Sequence, residues 1–188
     1  MGIYRPNPLR RCGHGFDRIT KAFLSQPGLP FADLLTAEEI ERVFDEHEGC
    51  FALNGVYTTA VTLWAFLNQV LQDGKAAACQ AAVAGIVTHC LQTGRPAPTA
   101  DTGDYCRARR KLDEGALRRL TGRVAQGVEA QADPRWLWKG RKTKLIDGFT
   151  FTMPDTPANQ AAYPQARTQA SGLGLPIARA VAVLSLAT

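Results

Sequence analysis

Apolar residues recur every three or four positions along most of the chain up to Ala130, which is the spacing of one face of an α-helix. The sequence Thr36-Ala-Glu-Glu39 is typical of a capping box, in which side chains bind the free N–H groups at a helix start. Glycine and proline interrupt the apolar pattern, and helices usually end at such positions. We predict helices over about 16–26, 36–49, 58–72, 76–91, 102–112 and 114–130.

The pattern changes to strict alternation over 144–153, which predicts a β-strand. Pro154 ends this strand, and Thr156 with Pro157 at the first helical position predicts a short helix. The last apolar run, 177–187, predicts a largely buried strand. Alternate residues of a strand point to the same face, so one face of the first strand would carry Leu145, Asp147, Phe149, Phe151 and Met153.

Asp147 is the one acidic residue in the first strand pattern. In a continuous strand its carboxylate shares a face with Phe149 and Phe151, which is costly unless a cation or metal ion pairs with it. This interpretation makes Asp147 a metal ligand presented by a rigid strand. The alternative is a type I′ hairpin turn at Asp147-Gly148, in which the aspartate does no chemistry. The local pattern leaves both interpretations open.

Composition adds a basic balance, with a net charge of +5 and a pI near 9.1, which favours an anionic partner such as nucleic acid. The five cysteines are scattered without zinc-ligand spacing, so we expect free thiols in a reducing compartment. Neither a secretory signal nor a run of about 18 apolar residues is present. We therefore expect a soluble, cytoplasmic protein with no membrane partner.

Basic side chains concentrate on the two predicted helices 102–112 and 114–130. They could contact DNA phosphates, or they could form an ordinary solvated helical face. Arg109 shares a helix face with Tyr105 and Leu112, so an inward, salt-bridged structural arginine is as plausible there as a DNA contact. The candidates for phosphate contacts are Arg107, Arg110, Lys111, Arg118, Arg119 and Arg123.

The segments LIDGFTFTMPDTPANQAAYPQ and GLGLPIARAVAVLSLAT resemble the start of the catalytic domain of bacterial DDE transposases of the insertion sequence 4 family. The resemblance implies an RNase H-like fold with Asp147 on its first strand as the first metal-binding carboxylate. Phe149 departs from the family, which usually has threonine there, but the acidic position is unaffected. A similar Tyr-x-x-Ala-Arg-x-x-Leu pattern at 105–112 extends the resemblance to the helical region, which in the family binds the ends of the element. Asp155 is interpreted as a turn or cap residue rather than a second ligand.

We therefore expect an α+β protein with a disordered basic N-terminus at 1–15, a helical DNA-binding domain at 16–133, and the start of an incomplete RNase H-like α/β domain at 134–188. The resemblance implies DNA transposition, in which the complete protein cleaves and joins DNA strands with Mg²⁺ held by Asp147 and two further carboxylates. Those two lie beyond this sequence, so we expect the chain alone to be catalytically inactive.

The partners expected from the resemblance are double-stranded DNA at the terminal repeats of the element and a homodimer formed on that DNA. Two other classes of function remain open. One is a stand-alone DNA-binding regulator or inhibitor of transposition. The other is a structural helical domain without activity.

Overall fold

Helices precede a pair of antiparallel β-strands in the computed structural model, which describes residues 18–47, 49–52, 55–170 and 172–186. The α+β class is confirmed. The backbone divides into two compact units, Met1–Gly122 and Arg123–Thr188, and the division falls inside a helix. The basic segment expected to be disordered, 1–15, lies outside the described residues.

The helices of the first unit agree with the predicted ones in number and order along the described chain, with shifted ends. Short 3₁₀ turns lie at Pro30–Asp33 and Gly74–Ala77. The α-helices are α1 (18–24), α2 (Ala37–Asp45), α3 (Thr59–Val70), α4 (Cys79–Gln92), α5 (Gly103–Arg109) and α6 (Glu114–Ala130), the last of which continues into the second unit.

Helix starts follow the capping signals in the sequence. The amide N–H of Glu39 donates to the Thr36 hydroxyl at 3.2 Å, and the Glu39 carboxylate accepts from the Thr36 N–H at 3.1 Å, so the predicted capping box is confirmed. The Thr58 hydroxyl caps α3 in the same way by accepting from the N–H of Val61 at 3.3 Å. Each cap satisfies backbone donors that have no partner inside the helix.

The predicted helix 76–91 is shorter than expected, because α4 begins only at Cys79. The backbone at Ala78 is extended, with φ −71° and ψ 149°, which separates the preceding 3₁₀ turn from α4. The carbonyl of Ala77 accepts a hydrogen bond from the Gln69 side chain at 2.8 Å. A tertiary contact therefore occupies the carbonyl that a continuous helix would have used for its own hydrogen bond.

Helix α3 is the centre of the first unit and packs against α2, α4 and α5. Its first half is buried on all sides, from Thr59 through Ala65. The indole N–H of Trp64 donates to the carbonyl of Leu35 at 2.8 Å, which identifies this tryptophan as a core residue. The side chains around α3 include Ile40, Phe44, Val83, Ile86, Tyr105 and Leu120.

One buried amide joins three elements of the first unit. The Oε1 atom of Gln69 accepts from the Tyr105 hydroxyl at 2.7 Å and from Nη1 of Arg109 at 3.0 Å, while its Nε2 donates to Ala77. Gln69 is 8% exposed and Tyr105 is fully buried. Buried polar groups are expensive unless they are paired, so these bonds specify how α5 and the start of α4 lie against α3.

The second unit contains β1 (Lys144–Thr152), α7 (Pro157–Ala162) and β2 (Ile177–Ser185). The strands are antiparallel, with Lys144 opposite Ser185 and Thr152 opposite Ile177. The Thr156 hydroxyl accepts from the N–H of Asn159 at 3.1 Å, so the predicted cap of α7 is confirmed. In the connection to β2, the side chain of Gln165 binds both backbone N–H and C=O groups of residues 169–174.

The prediction that the last strand is largely buried is wrong. Val181 is 70% exposed and Val183 is 61% exposed, and β1 is exposed along its whole length. A continuous apolar run is typical of a strand covered on both faces. The described part of the second unit contains only these two strands, which do not supply that cover.

In the parts of the chain that the structure describes, no helix is both long enough and apolar enough to cross a membrane.

Replacing Tyr105 by phenylalanine should lower the free energy of unfolding of the first unit by about 1–2 kcal/mol, because Gln69 loses a buried donor. Tyr57→Phe is the matched control: its hydroxyl is buried with no partner among the described residues, so its loss should be neutral or slightly stabilising. Urea unfolding followed by circular dichroism measures both. Equal losses of unfolding free energy in the two variants would contradict a stabilising hydrogen bond from Tyr105 to Gln69.

Burial raises the pKa of Tyr105 to about 12, from an ordinary value of 10.0, although Arg109 opposes the shift. The unfolded chain therefore releases this proton at lower pH than the folded protein. The stabilisation is complete below pH 10, and we expect it to be lost as the pH rises from about 10 to 12. A series of unfolding curves across that range should show a steeper decline for the native chain than for Tyr105→Phe.

Candidate functional site

Asp147 lies in the middle of β1, directly opposite Ala182 of β2. Pairing continues without interruption on both sides of it, and Gly148 is not among the glycines with positive φ. A type I′ turn requires positive φ at both central residues. The hairpin-turn alternative is therefore wrong, and the strand interpretation of this segment is confirmed.

The face that carries Asp147 is open to solvent. Leu145 and Phe149 are each 50% exposed and Phe151 is 47% exposed, with the two phenyl rings 6.2 Å apart. The aspartate itself is exposed, and neither a hydrogen bond nor an ion pair is recorded for its carboxylate within the described residues. The expected cost of a buried carboxylate does not arise, because water reaches this side chain.

The described residues do not fit a magnesium site by themselves. Nowhere in the described ranges do three or more His, Cys, Asp or Glu side chains come together as metal ligands. Asp155 accepts from Nε2 of Gln160 at 2.8 Å, which fits its interpretation as a residue at the start of α7. Magnesium prefers several oxygen ligands in octahedral geometry, so the single carboxylate of Asp147 does not define a site.

His89 and Cys90 are neighbours in the sequence, but the structure gives them separate packing roles. His89 packs edge-on against Trp64, with ring centroids 5.7 Å apart, and burial together with Arg95 lowers its pKa. Cys90 is 1% exposed and belongs to the core. Cys12 and His14, a second cysteine and histidine that lie close in the sequence, fall outside the described residues.

The basic candidates at the end of α5 are exposed. Arg107 forms an ion pair with Asp104 one turn earlier, and Lys111 lies 5.8 Å from the centre of the Phe51 ring. No carboxylate partner is recorded for Arg110 or Lys111 in the described chain. Their charges are the ones that a phosphate could bind without displacing a carboxylate of the described chain.

Two of the candidates on α6 have carboxylate partners. Arg118 pairs with Glu114 at 2.8 Å, and Arg119 pairs with Glu46 at 3.8 Å. Exposed ion pairs of this kind contribute at most about 1 kcal/mol, so an incoming phosphate could replace the carboxylate. Arg123 is also exposed, and it belongs to the second unit.

Arg109 points inward. Its guanidinium lies 5.6 Å from the centre of the Tyr105 ring and donates to Gln69, and Nη1 is 3.9 Å from the sulfur of Cys79. The structural interpretation therefore fits its position, with an amide oxygen and a ring in place of the expected carboxylate. In this chain the Tyr-x-x-Ala-Arg-x-x-Leu pattern is a packing motif, because Tyr105 and Ala108 are buried.

Sequence reasoning missed a cluster formed by Cys79, Cys106 and Gln69. The two sulfur atoms are 3.7 Å apart, although the cysteines lie on different helices. Their spacing in the sequence resembles no known thiol motif. Only the packing of α5 against α4 brings them together.

Comparison with known proteins does not assign the chain to a family. No protein-family model, no curated protein and no solved structure matches it.

Asp147→Asn should change the stability of the second unit by less than about 0.5 kcal/mol, because the carboxylate is exposed and has no recorded partner. Thr156→Ala in the same unit should cost about 1 kcal/mol, since it removes the cap of α7. Amide hydrogen exchange in β1 and α7 measures both changes. A clear loss of protection in β1 of the asparagine variant would show that Asp147 has a structural role.

Proposed function

We propose that this chain is the N-terminal part of a bacterial DDE transposase of the insertion sequence 4 family, and that its helices bind the double-stranded DNA of the element ends. The proposal rests on the resemblance of 145–165 to the start of that family's catalytic domain. The observation that carries it is the position of Asp147 within an uninterrupted strand, followed by the Thr156-capped helix. A hairpin turn at Asp147 would have contradicted the proposal.

The proposed catalytic domain is RNase H-like, and β1 and β2 would be part of its sheet. The exposed apolar residues on both strands support this, because an isolated pair of strands is marginally stable in water and gains stability from further layers. Two-metal phosphoryl transfer also requires more carboxylates than Asp147 alone. Those ligands would have to come from other polypeptide segments, and we propose no catalytic step for these residues by themselves.

The proposed DNA contacts are electrostatic. Arg110 and Lys111 are the leading candidates because they are exposed and have no recorded carboxylate partner in the described chain. Arg107, Arg118 and Arg119 could join them by exchanging weak, exposed ion pairs for phosphates. The net charge of +5 and the proposed cytoplasmic location agree with DNA as the partner.

Binding to duplex DNA should weaken steeply with salt. Six phosphate contacts correspond to a slope near −5 in a plot of log K against log salt concentration. Replacing Arg110 and Lys111 together by glutamine should reduce the magnitude of that slope by about 2. The matched control is Lys75→Gln, which removes an exposed charge from the Gly74–Ala77 turn and should leave the slope unchanged. Fluorescence anisotropy with a labelled duplex measures all three proteins.

The absence of binding at low salt would contradict a DNA-binding function. If the double variant and the Lys75 control changed the salt slope equally, binding would depend on net charge and not on a defined surface that includes Arg110 and Lys111. Binding to one terminal repeat in preference to random duplex would support both a transposase and a regulator of transposition. We expect no strand cleavage by this chain alone in the presence of Mg²⁺, because Asp147 supplies only one carboxylate, and cleavage would contradict that expectation.

A further inference from the structure

Two thiols meet where the start of α4 packs against α5. The sulfur of Cys106 lies 3.7 Å from the sulfur of Cys79 in hydrogen-bonding geometry, with Cys106 as the donor. Both side chains are half-buried, so small solutes can reach them. The other cysteines in the described chain, Cys50 and Cys90, have no such thiol neighbour recorded.

The surroundings of Cys79 favour the thiolate. Its sulfur accepts from three donors: Nε2 of Gln69 at 3.6 Å, the Cys106 thiol, and Nη1 of Arg109 at 3.9 Å. Cys79 is also the first residue of α4, where the free N–H groups of a helix stabilise negative charge. A sulfur with a nearby cation and several donors is a typical reactive cysteine rather than an inert structural one.

The pKa values of the two thiols are shifted in opposite directions. Burial tends to raise the pKa of Cys79, but the hydrogen bonds from Gln69 and Cys106 and the charge of Arg109 outweigh it, so the pKa is lowered. The hydrogen bond that Cys106 donates, together with burial, raises the pKa of Cys106. In the described cluster one sulfur is therefore suited to attack and the other retains its proton.

Cys50 is a thiol of similar exposure that lacks the hydrogen-bond donors and the cation found around Cys79. Its sulfur donates to the carbonyl of Glu41 at 3.3 Å, and burial and the charges of Asp45 and Glu41 raise its pKa. It is half-buried like Cys79. Cys50 is therefore a control within the same molecule, with comparable access but without an activating cation.

We propose that Cys79 and Cys106 are a redox-reactive dithiol that a peroxide converts into an intramolecular disulfide between α4 and α5. The Cys79 thiolate attacks one peroxide oxygen, the O–O bond breaks, and a sulfenic acid forms as hydroxide leaves and takes up a proton. The sulfur of Cys106 then attacks the Cys79 sulfur, the S–O bond breaks, and the proton of Cys106 leaves with the hydroxide as water. Overall, two thiols lose two electrons, and hydrogen peroxide is reduced to two molecules of water.

Disulfide formation requires the two sulfurs to approach from 3.7 Å to a bond length of about 2.0 Å. The new bond would tie α5 to the start of α4 and restrict the unfolded chain. The oxidised protein should therefore unfold at a higher temperature than the reduced one.

The experiment treats the full chain with hydrogen peroxide and follows its thiols and peptides. We expect two of the five thiols to be lost, with a proteolytic fragment linking Cys79 to Cys106 that dithiothreitol separates. Cys106→Ser should form no disulfide, and its Cys79 should react with dimedone as a sulfenic acid. Cys50→Ser should form the disulfide at the same rate as the native chain.

A second measurement needs no variant. In the reduced native chain at neutral pH, iodoacetamide should alkylate Cys79 at least several-fold faster than Cys50, as measured by mass spectrometry of the two peptides. Equal rates would overturn the activation of Cys79. Retention of all thiols after peroxide treatment, or a disulfide that links either cysteine to a different partner, would overturn the proposed pair.

Discussion

The helical unit depends on a side-chain amide held away from water. Gln69 offers an oxygen to Tyr105 and Arg109 and an N–H group to the carbonyl of Ala77, so its polar atoms are paired although it is almost fully buried. Any shift of α5 or of the start of α4 would leave one of these groups without a partner in a low-dielectric interior. The hydrophobic contacts around α3 supply most of the burial, while the amide specifies one arrangement among many that apolar packing would tolerate.

The hydrogen bonds to Gln69 also explain why one face of α5 is turned toward the core while the other is exposed. Tyr105 and Arg109 turn inward, and Arg107 and Arg110 are left at the surface. The charge of Arg109, near the core, stabilises the structure by hydrogen bonding and by contact with the Tyr105 ring, whereas the charges at the surface are exposed to an anionic ligand. The proposed thiol chemistry arises from the inward group, because Arg109 and Gln69 both point toward the Cys79 sulfur.

The second unit is organised by backbone pairing and capping instead of a core. Nine residues of β1 pair with nine of β2, and Thr156 and Gln165 bind the backbone of the connecting segment. These local hydrogen bonds define where each side chain points, including Asp147. They do not bury the apolar faces, and Ile146, Phe149 and Val181 remain at least half exposed.

The sequence by itself determined what depends on neighbours along the chain. The capping box at Thr36, the cap at Thr156, the order of six helices and the alternation across Asp147 could be predicted because hydrogen bonds within a few residues and side-chain periodicity produce them. Tertiary structure decided the rest: the exposure of β2, the break before α4, the inward position of Arg109, and the meeting of Cys79 with Cys106. Each of these depends on contacts between residues far apart in the chain, which no local pattern records.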